Sequence, residues 1–120
     1  MGAATSSGGG AFTHITADFT GVAALVLCDA HALTGLLIAA AGAAGFSTIG
    51  APVVRQLPDG AIAAVLFLDA CHITLRTIPD HEMLLLDILA LATRDAQKAL
   101  DVFTRRLAPT ELRSEVRGRG

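Results

Sequence analysis

Two segments, Ala61-Ile-Ala-Ala-Val-Leu-Phe-Leu68 and Leu84-Leu-Leu-Asp-Ile-Leu-Ala-Leu91, are apolar at odd and even positions alike, with Asp87 the one polar interruption. Their length suits strands rather than helices. A strand with one wet face alternates apolar and polar residues, whereas a strand covered on both faces does not. The chain has 120 residues, enough for one domain and hardly for two. Its remaining periodic segments supply only two long helices, and two helices cover one face of a sheet. The other face needs a cover too, and the cheapest is a second copy of the same chain, sheet against sheet, which predicts a homodimer through the sheet face.

Around these strands the pattern predicts the order β-α-β-β-β-α. Phe12 to Phe19 mixes β-branched and aromatic residues with polar ones and reads as a first strand ended by Gly21. Asp29 suits the N-cap of a helix over 30–44, with Leu33, Leu36, Leu37, Ala40 and Ala44 on one stripe and Gly45 at its close. Phe46 to Val54 reads as a strand, Leu57-Pro-Asp-Gly60 as a turn, and Cys71 to Thr77 as a further strand or a continuation of the one before. Thr93 is the expected cap of a last helix that ends near Leu107 before Pro109. The expected fold class is α+β, an antiparallel sheet with two helices on one face. The expected organisation is a flexible tail over 1–11, one domain over 12–108, and a fraying charged tail over 109–120.

Composition closes off several function classes. Hydrophobic residues are 52% and charged residues 17%, which excludes disorder for most of the chain. A net charge of −2 gives no basic field for nucleic acid. Cys28 and Cys71 lack CxxC spacing, which points to a reducing, cytoplasmic setting and away from a disulfide scaffold or zinc. The four histidines show no ligand spacing on one element, so no metal is expected. The start has no basic n-region, and Met1 to Ser6 fits the myristoylation pattern only formally. From Ala30 to Val54 no Lys, Arg, Asp or Glu occurs, but the glycines, Pro52 and the lack of basic flanks favour a buried helix plus strand over a membrane span.

From Cys71-His-Ile-Thr-Leu-Arg-Thr-Ile-Pro-Asp80 onward, the chain resembles the small prokaryotic S-adenosylmethionine decarboxylases. Their central motif runs Glu-Ser-His-[Leu/Ile]-Ser-[Ile/Leu]-His-Thr-Trp-Pro-Glu. His72, Ile73, Leu75, Thr77 and Pro79 match it, Thr74 and Asp80 come close, and Ile78 replaces the Trp. The opening His14-Ile-Thr-Ala-Asp18-Phe-Thr-Gly21, the Ala44-Gly45 helix end, the Pro58-Asp59-Gly60 turn and Leu86-Asp87-Ile88-Leu89 are similar to family features in the same order. The likeness runs over about residues 12 to 107. It implies a sheet with helices on one face and a dimer that stacks two sheets.

The resemblance also implies a chemistry. In the family a Ser hydroxyl attacks the preceding carbonyl, the chain cleaves, and a pyruvoyl ketone remains at the new N-terminus, where it serves as the electron sink for decarboxylation. That Ser falls at Cys71, whose sulfur is a workable nucleophile. The Glu before it falls at Ala70, and Asp69 is off by one position. The processing His falls at Arg76, which stays protonated. The proton-donating Cys falls at Leu91, which transfers no proton. The scaffold therefore matches while the reactive Ser/His/Cys set reads Cys71/Arg76/Leu91.

The other polar residues divide as follows. His72, on an apolar strand, reads as a hydrogen-bonded core or interface residue and is also a candidate catalytic residue. His14 with Asp18 reads as structural, and His31 and His81 as surface. Asp87 is expected to be buried and paired, with Arg76 as partner, since buried carboxylates need one. Asp87 and Asp69 are the candidate binding residues. Two functions remain. One is an S-adenosylmethionine-decarboxylase-like protein with impaired or absent self-processing, which binds a ligand of S-adenosylmethionine type or pairs with an active decarboxylase. The other is an active pyruvoyl-dependent decarboxylase of S-adenosylmethionine or a related amino acid, with Cys71 as pyruvoyl precursor.

Overall fold

In the computed structural model, residues 9–120 are described, so Met1 to Ser6 and most of the expected N-terminal tail lie outside the described residues. Six strands are present: β1 (Phe12–Thr20), β2 (Val53–Gln56), β3 (Ile62–Leu68), β4 (Cys71–Ile78), β5 (Met83–Leu91) and β6 (Glu111–Arg119). Three α-helices join them: a single turn α1 (Ala24–Leu27), then α2 (Ala30–Ala44) and α3 (Ala96–Leu107). The sheet order is β2-β3-β4-β5-β1-β6, with every neighbouring pair antiparallel. The α+β architecture with its long helices against one face is the one expected.

Local chemistry sets the helix ends. The Asp29 carboxylate accepts the Ala32 amide at 3.0 Å, and Gly45, at φ +72°, lets the Phe46 amide return to the Ala41 carbonyl at 2.9 Å. The cap of α3 is Asp95 rather than Thr93, since its carboxylate reaches the Lys98 amide at 3.3 Å. The buried stripes of α2 and α3 meet one sheet face, where Phe19, Leu33, Leu37, Leu66, Leu84 and Phe103 are at the centre of a continuous core.

Two expectations need correction. The strand expected over 46–54 shrinks to Val53–Gln56, preceded by a lone bridge between Thr48 and Leu68. Gly50, at φ +71°, and Pro52 break regular pairing in between. The tail expected to fray over 109–120 instead forms β6, paired with β1 along its whole length. Its charges occupy every second position, while Leu112, Ser114 and Val116 occupy the others. That is a strand period, and β1 offers it an open edge. Gly21 permits the approach: it lies at φ +75°, and a Cβ there would collide with the Thr110 side chain.

Candidate functional site: the open sheet face and the Cys71 turn

The face away from the helices carries the odd positions of β2, β3, β5 and β6 and the even positions of β1 and β4. Reading across the sheet, one row runs Phe67–His72–Leu89–His14–Arg117. The next runs Val53–Val65–Thr74–Asp87–Thr16–Glu115, and the third Arg55–Ala63–Arg76–Leu85–Asp18–Arg113. Ala63, Val65, Leu85, Leu89 and Leu91 are all only half-buried, and Phe67 is 49% exposed. No described element of the chain covers this face.

Asp87 sits between Thr74 and Thr16 in its row, and its side chain is 46% exposed. Its carboxylate meets His14 Nε2 at 2.8 Å. The expected burial of Asp87 and its pairing with Arg76 are therefore corrected: the partner is His14, from the adjoining strand, and Arg76 is exposed. By register the two are equally placed, Arg76 opposite Leu85 and His14 opposite Leu89, each one row from Asp87; the His14 ring meets the carboxylate, while the long Arg76 side chain stays in solvent. Arg76 and Asp87 nonetheless border one shallow depression of roughly 520 Å³, together with Arg55, Val53, Thr74 and Leu85. Two guanidinium groups can fork onto a carboxylate there, while the Asp87 carboxylate can accept from an amine.

Cys71 begins β4, directly after the two-residue turn Asp69-Ala70 from β3. Neither turn residue has a positive φ; Cys71 itself completes the reversal at φ +150°, in a region glycine usually occupies. Burial pushes its thiol up, and the Arg119 guanidinium offsets this in part. No side chain among the described residues hydrogen-bonds its sulfur. Arg76 is five residues along β4, roughly 17 Å away by strand rise. Leu91 ends β5 opposite Phe12 of β1, at the Cys71 end of the sheet. Asp69 is exposed and donates its amide to the Ser47 carbonyl at 2.9 Å, two rows from Asp87, so the two candidate binding acids are not brought together. Cys71, His72 and Leu91 thus cluster at one end, and Arg76 and Asp87 lie over the middle of the sheet.

Sequence reasoning missed Arg119 and Arg117, because β6 read as a fraying tail; its alternation at Leu112, Ser114 and Val116 was the available signal. Among the described residues no group of three or more His, Cys, Asp or Glu could hold a metal, and no helix is long and apolar enough to cross a membrane.

A helix-backed antiparallel sheet with one uncovered face, and a cysteine at the first position of a central strand, defines a class of small α+β proteins. The comparisons specify it. The family model described as S-adenosylmethionine decarboxylase matches residues 13–120, and the chain belongs to that family. Among solved structures it is similar to the adenosylmethionine decarboxylase of Aquifex aeolicus VF5, with a TM-score of 0.83 and 26% identity. That alignment covers 94% of this chain and 95% of the other. No curated protein sequence matches.

Proposed function

We propose that this chain keeps the scaffold and ligand-binding face of the S-adenosylmethionine decarboxylase family, while its conversion to a pyruvoyl enzyme is impaired or absent. The observation that carries the reading is the surroundings of Cys71. Its sulfur has no hydrogen-bonded partner among the described residues, burial disfavours the thiolate, and Arg76 and Leu91 stand where the resemblance calls for proton-transfer groups. A nucleophile without a neighbouring base is weak, and each missing acid or base typically costs about 10²–10⁴ in rate.

The residues therefore fit a pyruvoyl group only in part. Cys71 has the right carbon skeleton, and no turnover step follows from the groups beside it. The face is suited to a small amino-acid-like ligand of S-adenosylmethionine type: Arg55 and Arg76 for a carboxylate, Asp87 for an amine, and the apolar rows beneath for the rest. The half-buried apolar residues of the open face support a sheet-to-sheet homodimer; pairing with an active decarboxylase would use the same face. Free Cys28 and Cys71 suit a cytoplasmic setting.

A second reading is favoured by one observation, the backbone of Cys71 at φ +150°. An N→S shift would relieve that strain: the sulfur bonds the Ala70 carbonyl carbon, the peptide C–N bond breaks, and the amine of residue 71 is freed. Elimination would then leave a thiocarboxylate on Ala70 and a dehydroalanine that hydrolyses to the ketone and ammonia.

An intact mass spectrum of the purified chain decides between them. One full-length mass with two alkylatable thiols, and no labelled carbon dioxide from carboxyl-labelled S-adenosylmethionine, is the expected result. Two fragments split before residue 71 would overturn it. The variant Cys71→Ser/Arg76→His/Leu91→Cys should regain cleavage if these three positions hold the loss.

A further inference from the structure

β6 is an edge strand: it pairs with β1 on one side, and no described residue pairs with its other side. The backbone groups along that edge can be assigned from Leu112 to Val116. The Ala92 amide donates to the Ala11 carbonyl at 2.9 Å, so odd positions of β1 turn their backbone groups to β5 and even positions turn theirs to β6. Even positions of β1 register with odd positions of β6. The even positions Leu112, Ser114 and Val116 therefore direct their backbone groups outward.

An open edge is usually blunted by charge that repels a copy of itself. The charges here do the opposite. On the open face β6 carries Glu111, Arg113, Glu115 and Arg117 in alternating sign. Place a second β6 antiparallel to the first, with the two Ser114 residues opposite each other. Glu111 then faces Arg117 and Arg113 faces Glu115, twice each by symmetry. Leu112 faces Val116 on the helix side, covering a valine that is 44% exposed. The pairs that exchange hydrogen bonds, Leu112–Val116 and Ser114–Ser114, are those with outward backbone groups. A slip of one residue would oppose groups already used by β1. A slip of two residues would set Arg113 against Arg113, or Glu115 against Glu115. One register satisfies both the hydrogen bonds and the charges.

We infer that β6 is a self-pairing edge, through which a second copy of this chain joins about a two-fold axis at Ser114 to continue the sheet to twelve strands, six from each copy. The axis stands normal to the sheet, so the helices of both copies lie on one side and both open faces on the other. The edge contact is thus separate from any contact on the open face, and the inference does not rest on the proposed function.

The test measures mass by light scattering at micromolar concentration, with a cross-link to report the register. Arg117→Glu turns two attractive contacts into Glu–Glu pairs and should weaken self-association on the order of tenfold or more, halving the assembly. Glu111→Arg/Arg117→Glu restores opposite signs and should restore the mass. Ser114→Pro removes an outward amide without touching the β1 ladder and should also halve the assembly. In a Cys28→Ala/Cys71→Ala background, Ser114→Cys should oxidise to a linked pair, since opposed residues lie about 5.5 Å apart. Glu111→Cys should not, because its two copies would be about 20 Å apart. If a face-to-face dimer also forms, the masses step from four copies to two; if not, from two to one. An Arg117→Glu mass equal to wild type, or equal cross-linking at positions 111 and 114, overturns the proposal.

Discussion

Thr77 is the one fully buried polar residue among those described, at 0% exposure, and its hydroxyl accepts the Ile62 amide at 2.8 Å. Ile62 begins β3, so this bond ties that strand's first amide to β4 from inside the core. Replacing Thr77 with Val keeps the shape and removes the acceptor. The Ile62 amide is then buried without a partner, which costs about 1–3 kcal/mol. Replacing it with Ser keeps the acceptor and loses one methyl, about 1 kcal/mol with the small void it leaves. A domain of this length has an unfolding entropy of roughly 0.25 kcal/mol/K, so each kcal/mol moves Tm by about 4 °C. Thr77→Val should therefore melt about 4–12 °C below wild type, and Thr77→Ser about 4 °C below. Both should show an unchanged urea m-value, and all three proteins are compared at one concentration. A Thr77→Val protein as stable as wild type would refute the reasoning, because the hydroxyl would then carry no bond worth more than the methyl that replaces it.

The remaining predictions concern the two faces and the thiol. Leu86 is buried under the helices and Leu85 lies on the open face, so Leu86→Asp should abolish the folded circular-dichroism spectrum while Leu85→Asp should retain it and lose the face-to-face dimer in light scattering. Asp87→Leu leaves His14 without its partner and should cost up to about 1 kcal/mol in urea unfolding. Arg76→Leu, at an exposed residue, should stay within about 0.5 kcal/mol of wild type; the reverse order would restore Arg76 as the partner of Asp87. Burial raises the Cys71 thiol in the folded chain, so its alkylation should lag that of the unfolded chain at mildly alkaline pH and catch up only as pH climbs further. By linkage, the folded state holds this proton more tightly, so the small stability contribution is present below the unfolded thiol's pKa and is lost as pH rises through the folded one. Cys71→Ala should flatten that alkaline decline.

Which parts of this fold were legible in the sequence follows from how local their causes are. The α2 boundaries rest on Asp29 and Gly45, each acting within four residues, and both were readable. The β3 and β5 strands declared themselves by apolar runs. The partner of Asp87 was not readable, because His14 is 73 positions away and meets it only through the β1–β5 register. Arg76 on β4 and His14 on β1 both lie one row from Asp87, so only the side-chain conformations, which no local pattern encodes, choose between them. β6 was misread because charge density outweighed its period of two. With β1 already in place, the cost of ordering the strand is offset by its ladder and by Leu112, which packs against the core.

The positions that set the fold and those that the proposed reading assigns to the chemistry occupy different faces. Ile73, Leu75, Thr77, Leu84, Leu86 and Ile88 point under the helices, and changing any of them disturbs packing. Arg76, Leu91 and Cys71 lie on the open face or in a turn, exposed or half-buried. Substitutions there cost little stability, so a chain can exchange them and still fold to the same sheet. That accounts for a scaffold that superposes closely on a decarboxylase at 26% identity while the positions that the proposed reading assigns to reactive groups hold Cys71, Arg76 and Leu91. It also means that the triple restoration Cys71→Ser/Arg76→His/Leu91→Cys is open to the fold. Failure of that variant to cleave would direct attention to the separation of positions 71 and 76, roughly 17 Å along β4, and to Ala70, where the motif that the chain resembles has Glu.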